Sequence, residues 1–292
     1  MAPLSYRESF ITTQDGLRIF ARDYGQRASK LTPVVCLPGL TRNSKDFAAL
    51  AEHLAPKRRV LCPDLRGRGR SQYCNNWTDY TPATELMDVL DVMTASGIFH
   101  AVFVGTSRGG LITMLLGAFR PATIRAVVLN DVGPEVDMTG LKRIAGYAGS
   151  MSVPSTWDEA AVQLRMMNER AFPTVTGDEW RAFSARTFTE EHGAPKLDYD
   201  VKIGIGLRKG LEALGNAPMP DMWPQFKTLS NVPVLGVRGE NSDLLSPETF
   251  ERMASEHPNF TRLTVKDRGH TPFLDEPEFL NALDEFLARH NL

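Results

Sequence analysis

The sequence predicts an α/β domain built on a largely parallel sheet and interrupted by a helical insertion. Three observations carry this. Short unbroken apolar runs at residues 33–37, 59–62, 100–104, 124–130 and 232–238 suit strands covered on both faces. Helical stretches alternate with these runs, and strand–helix alternation implies parallel strands with helices on both sides of the sheet. Between about residues 133 and 221 the alternation stops and helix signals dominate.

The elements follow in order. Phe10-Ile11-Thr12-Thr13, a Gln14-Asp15-Gly16 turn and residues 17–21 read as a hairpin. The strand at 33–37 runs into Pro38-Gly39-Leu40, and residues 46–54 read as a helix. The strand at 59–62 leads into Asp64-Leu65-Arg66-Gly67-Arg68-Gly69-Arg70-Ser71. This stretch lacks the lysine and the spacing of a phosphate-binding loop, and reads as a bracing turn with mostly solvated arginines. Thr81-Pro82 caps a helix running to about Ala95, and Pro121 stops the helix that follows the strand at 100–104. In the insertion, Thr156-Trp157-Asp158-Glu159 and Thr176-Gly177-Asp178-Glu179 are capping boxes. Trp157, Ala161, Leu164 and Met167 share one helical face, as do Trp180, Phe183 and Phe188; most are expected to pack on the main domain. Flexible Met166 and Met167 are candidates for lining a pocket. Ser246-Pro247 opens another helix, residues 260–265 form the last strand, and residues 275–289 a closing amphipathic helix.

Composition narrows the function classes. With 292 residues, 42% hydrophobic and 23% charged, the chain can bury one large core. A net charge of -2 without a basic stripe argues against a nucleic-acid partner. No run reaches membrane-spanning length and the N-terminus has no apolar signal core, so a cytoplasmic location without membrane contact is expected. Cys36, Cys62 and Cys74 form no Cys-x-x-Cys pair, which makes a zinc site or a disulfide framework a poor reading; no metal and no cofactor are expected.

The chemistry concentrates at Gly105-Thr106-Ser107-Arg108-Gly109-Gly110, between a buried strand and a helix. A Gly-x-Ser-x-Gly stretch in that setting is a nucleophile elbow, although a glycine-rich turn alone could produce it. A serine hydroxyl needs a base, and the base needs a partner to orient it. Of the six histidines, His270 lies in a loop after a buried strand, on the sheet edge that would carry Ser107. Three carboxylates also follow strands: Asp243, Glu240 and Asp131. Asp243 is the favoured acid, with Asp131 its rival, and both fit the chain order Ser…Asp…His. The backbone N–H of Arg108, at a helix N-terminus, and that of Leu40, in the turn after the strand at 33–37, are candidate oxyanion donors.

Together the Pro38-Gly39-Leu40 turn, the Asp64–Ser71 stretch, the elbow, residues 239–243 and Gly269-His270 resemble the α/β-hydrolase superfamily, in its order and over almost the whole chain. The resemblance implies a mostly parallel eight-stranded sheet flanked by helices. Residues 1–132 and 222–292 would form the core and residues 133–221 a helical cap. It implies Ser107 as nucleophile, His270 as base, Asp243 as acid, and the Leu40 and Arg108 amides as oxyanion hole. Two positions depart from the pattern. Pro38 stands where many members have histidine, and Arg108 where a hydrophobic residue or glutamine is more usual; the Arg108 side chain either pairs with a carboxylate beneath the site or faces the pocket. A serine at the elbow points away from the aspartate-dependent branches and toward acyl chemistry. The expected activity is hydrolysis of a small-molecule ester or lactone. The alternatives are a carbon–carbon bond hydrolase, with Arg108, Arg165 or Arg208 holding a substrate carboxylate, and a ligand-binding receptor on the same fold. Substrate-binding residues and oligomeric state are not legible.

Overall fold

A computed structural model describes residues 6–215, 217 and 219–292; the first five residues of the N-terminus read above lie outside this range. Eight strands form one sheet: β1 (Arg7–Thr12), β2 (Arg18–Tyr24), β3 (Val34–Leu37), β4 (Val60–Pro63), β5 (Ala101–Thr106), β6 (Ile124–Asn130), β9 (Val234–Gly239) and β10 (Phe260–Val265), with β7 (Phe188–Glu191) and β8 (Ala194–Leu197) lying apart in the insertion. Their spatial order is β1-β2-β4-β3-β5-β6-β9-β10. The β1–β2 and β2–β4 pairs are antiparallel and every later pair is parallel. This is the mostly parallel eight-stranded α/β-hydrolase sheet that the motifs implied.

Alternation along the central strands sends side chains to two cores. Val35, Leu37, Phe103, Val127 and Leu129 join one, while Val34, Cys36, Val102, Val104 and Val128 join the other. On the first face lie α2 (Pro82–Ala95), α3 (Arg108–Phe119), α8 (Trp223–Lys227) and α9 (Pro247–Glu256), through residues such as Val89, Ile112, Phe226 and Phe250. The second face is covered by α1 (Ala48–Leu54) and α10 (Pro277–Arg289), through Leu50, Leu54, Phe279 and Leu283. Cys36, Cys62 and Cys74 are all free and buried. Thr81, Thr156, Thr176 and Ser246 each cap their helix through the side-chain oxygen; the reciprocal capping-box bond forms at Thr176, whereas the Glu159 carboxylate accepts from the Ser155 N–H instead.

Between β6 and β9 the chain forms α4 (Met138–Tyr147), α5 (Trp157–Asn168), α6 (Gly177–Thr187) and α7 (Lys202–Leu214). It also forms a hairpin, β7 (Phe188–Glu191) with β8 (Ala194–Leu197), turning at His192 and Gly193. Sequence periodicity missed this hairpin. Phe188 is not on the helical face of Trp180 and Phe183 but opens β7, fully buried, because α6 has already ended at Thr187.

The 64–71 turn braces its neighbours, as read, but its arginines do not follow the expectation. Arg66 and Arg68 are buried, and only Arg70 reaches solvent. Each buried guanidinium meets a buried carboxylate from α2, Arg66 with Asp88 and Arg68 with Glu85, both at 2.6 Å. Among the described residues no helix is long and apolar enough to cross a membrane.

Candidate active site

Parallel strands bring their C-terminal ends to one edge, and the candidate residues gather there. Ser107 links β5 to α3 with φ 49° and ψ -110°, a backbone conformation that side chains rarely adopt. Neighbouring glycines make room for it. A Cβ at Gly109 would fall 2.0 Å from the Leu37 carbonyl oxygen, and one at Gly105 would fall 2.7 Å from the Gly109 backbone. The Ser107 N–H donates to the Asn130 carbonyl at 3.0 Å, tying the turn to the end of β6.

His270 Nε2 lies 2.9 Å from Ser107 Oγ. Its Nδ1 lies 2.8 Å from Oδ2 of Asp131, not of Asp243. Asp131 directly follows β6 at φ 55°, and its buried carboxylate also accepts from Gly239 N at 2.8 Å and Ser242 Oγ at 2.6 Å. Two donors thus hold the carboxylate against the imidazole. Asp243, the residue expected there, is turned away. Its two oxygens accept from Nε and Nη2 of Arg143 on α4, at 2.5 and 2.7 Å. The physical reason is competition for the imidazole: Gly239 N–H and the Ser242 hydroxyl fix Asp131 against it, while a guanidinium from the insertion captures Asp243. Burial opposes ionisation of Asp243, but the Arg143 hydrogen bonds and charge hold its carboxyl below the usual range. The Glu240 carboxylate accepts from the Asp267 N–H, and among the described residues it makes no bond to the histidine.

Leu40 lines the same cavity as Ser107, and an added Cβ on the adjacent Gly39 would sit 3.9 Å from the Ser107 Cβ. The Arg108 N–H opens α3, where backbone amides have no helical partner. The Arg108 side chain turns beneath the site. Its Nε donates to Glu85 Oε2 at 2.6 Å and its Nη2 to the Tyr80 carbonyl at 3.1 Å. Glu85 binds Arg68 through its other oxygen, and Arg68 Nε donates to the Leu40 carbonyl at 2.8 Å. One buried carboxylate therefore ties together the two backbone segments expected to donate to an oxyanion. Burial alone would favour neutral Glu85, yet the charges of Arg108 and Arg68 hold its carboxyl below the ordinary range.

Above Ser107 is a cavity of about 120 Å³. Met151, Leu164, Met167, Phe172, Trp180 and Phe183 from the insertion give it apolar walls. Met167 lines it as anticipated; Met166 does not, being 74% exposed. Three arginines also face it, Arg42, Arg143 and Arg186, none of which the sequence singled out. The cations considered for a carboxylate lie elsewhere. Arg108 is engaged with Glu85, Arg165 pairs on the surface with Glu169, and Arg208 donates to the Ala148 carbonyl at 2.6 Å.

The arrangement can move a proton from a hydroxyl to an imidazole that a carboxylate orients, beside a small apolar chamber. Comparison with known proteins places the chain in a family. The family model described as the alpha/beta hydrolase family matches residues 34–283. A 3-hydroxybutyrate-oligomer hydrolase of Cupriavidus necator is 31% identical over 259 residues, covering 87% of this chain and 88% of its own. The crystal structure of an alpha/beta hydrolase from Novosphingobium aromaticivorans superposes with a TM-score of 0.89 at 43% identity, over 99% of both chains. An enol-lactonase from Burkholderia xenovorans shares the fold at 22% identity and a TM-score of 0.68, over 96% of this chain and all of its own.

Proposed function

Since this chain belongs to the alpha/beta hydrolase family, we propose that it is a serine hydrolase cleaving a small carboxylic ester or lactone through an acyl-enzyme. The observation that carries this reading is the unbroken chain from Ser107 Oγ through His270 to Asp131, with links of 2.9 and 2.8 Å. Ser107 Oγ attacks the carbonyl carbon while His270 Nε2 takes its proton. Asp131 keeps the proton of Nδ1 facing it and stabilises the imidazolium that forms. The amides of Leu40 and Arg108 receive the oxyanion. The tetrahedral species collapses, and His270 returns the proton to the departing alkoxide. Water, deprotonated by His270, then attacks the acyl-enzyme; the acid leaves and Ser107 regains its proton.

The Cupriavidus relative supports ester cleavage by its name, and the cavity volume suits a small substrate, lying below the several hundred Å³ typical of drug-sized ligand sites. The segment between β6 and β9 acts in this reading as a cap that shapes the acyl chamber. The test is turnover of a panel of short acyl esters and lactones by wild type and Ser107→Ala. The variant is expected to lose on the order of 10⁴–10⁶ in kcat. Full activity in Ser107→Ala overturns the proposal.

A further inference from the structure

The three guanidiniums that face the cavity are not equally occupied. An arginine presents five N–H donors and stays charged at any working pH. Arg42 gives Nε and Nη2 to Asp46 and Nη1 to Thr187 Oγ1. Arg143 gives Nε and Nη2 to Asp243, and its charge also acts on the Tyr147 hydroxyl. Arg186 is the least satisfied. Among the described residues its single polar contact is a long one, Nη1 to Asp275 Oδ2 at 3.4 Å. Its Nε is buried and has no partner among the described residues. The side chain is only 19% exposed, with its guanidinium carbon 5.3 Å from the Phe273 ring centre and 5.7 Å from that of Phe183.

A desolvated cation with unfilled donors is costly, so the arrangement favours any ligand that brings acceptors to it. The surrounding charge agrees. Asp243 and Asp275, which partner Arg143 and Arg186, are not part of the cavity wall; Asp46 is the one carboxylate lining it, against three arginines. The guanidiniums of Arg143 and Arg186 therefore face the chamber of Ser107 while their partner carboxylates stand outside its wall.

We propose that Arg186, assisted by the positive charge of Arg143 on the same cavity wall, binds a carboxylate on the substrate. The preferred substrates are then esters that carry a free carboxylate in the acyl or the alcohol part. This rests on the ester-hydrolase reading above and narrows it to a substrate class. Arg186 sets specificity and takes no part in bond making.

The test compares kcat/KM for mono-p-nitrophenyl adipate with that for its methyl-capped neutral analogue. A second pair, acetyl-lactate and acetyl-lactamide, places the carboxylate on the leaving alcohol. Wild type is expected to favour the acid in at least one pair by roughly tenfold or more, the scale of one hydrogen bond to a charged group. Arg186→Gln is expected to erase that ratio and Arg186→Lys to retain part of it. Arg181→Gln, an exposed arginine on the same helix, keeps it. Equal turnover of acid and neutral esters by wild type, or a preference that survives in Arg186→Gln, overturns the inference and leaves the ester-hydrolase reading standing. Turnover of none of the four overturns both.

Discussion

The carboxylate of Asp131 lies 2.8 Å from Nδ1 of His270, at the end of the strand next to the one that carries Ser107. Strands β5 and β6 are hydrogen-bonded neighbours, so the base partner comes from the adjacent edge rather than from the loop beyond β9. Asp131→Asn should keep much of the geometry while removing the charge that stabilises the imidazolium. The expected loss in kcat is about 10⁴. Asp243→Asn, which touches Arg143 and not the histidine, should lose no more than roughly tenfold, the cost of an unpaired Arg143 at the cavity wall. Steady-state kinetics of the two variants, with circular dichroism as a check on folding, decides between the carboxylates.

Glu85 holds Arg68 and Arg108 beneath the elbow. Glu85→Gln leaves the buried Arg68 and the partly exposed Arg108 without their counter-charge, and should cost about 3–5 kcal/mol of stability. Activity in the folded fraction should also fall, since Arg68 anchors the Leu40 carbonyl. The pH dependence has a definite sign. The folded carboxyl lies below the ordinary glutamate value of 4.5, so its contribution is fully present above that value. It is lost as pH falls below 4.5 toward the folded value. Thermal melts across this acidic range should show a smaller acid-induced drop in Glu85→Gln than in wild type.

How far these features were legible depends on their range. The strands and most helices follow from local periodicity and caps, which need only neighbouring residues. Ser107 and His270 were readable because a strand followed by a glycine-bearing loop fixes the sheet edge on which each lies. The choice between Asp131 and Asp243 was not, because it turns on Arg143, a hundred positions from Asp243 in sequence. The buried state of Arg66 and Arg68 was hidden for the same reason. A glycine-flanked arginine looks solvated until α2 supplies Asp88 and Glu85. The β7–β8 hairpin escaped because Pro195 and the charged Glu190, Glu191 and Lys196 give it no apolar alternation.

Gly109→Ala should be severe. The new methyl would meet the Leu37 carbonyl at 2.0 Å, a backbone atom that cannot rotate away, and the elbow or β3 must shift. The expected destabilisation is at least the 1–3 kcal/mol or so of ordinary overpacking, with activity lost more than stability. Differential scanning fluorimetry beside ester turnover measures both. A stable, fully active Gly109→Ala would contradict the packing described for the elbow.

Met167 and Met166 offer a paired test of the chamber. Met167→Ala enlarges the cavity wall and should change KM and acyl-chain preference several-fold, whereas Met166→Ala, on the outer surface, should leave both near wild type. An acyl-chain series from acetate to octanoate on both variants reads this directly. Equal shifts in the two would mean that the chamber is not where the acyl group sits.

The most direct measurement for the central claim is covalent labelling with an alkyl fluorophosphonate, followed by peptide mass mapping. The geometry of Ser107, His270 and Asp131 predicts one adduct, on Ser107, that disappears in Ser107→Ala and slows sharply in His270→Ala. Label on a different residue, or undiminished labelling in Ser107→Ala, contradicts the account.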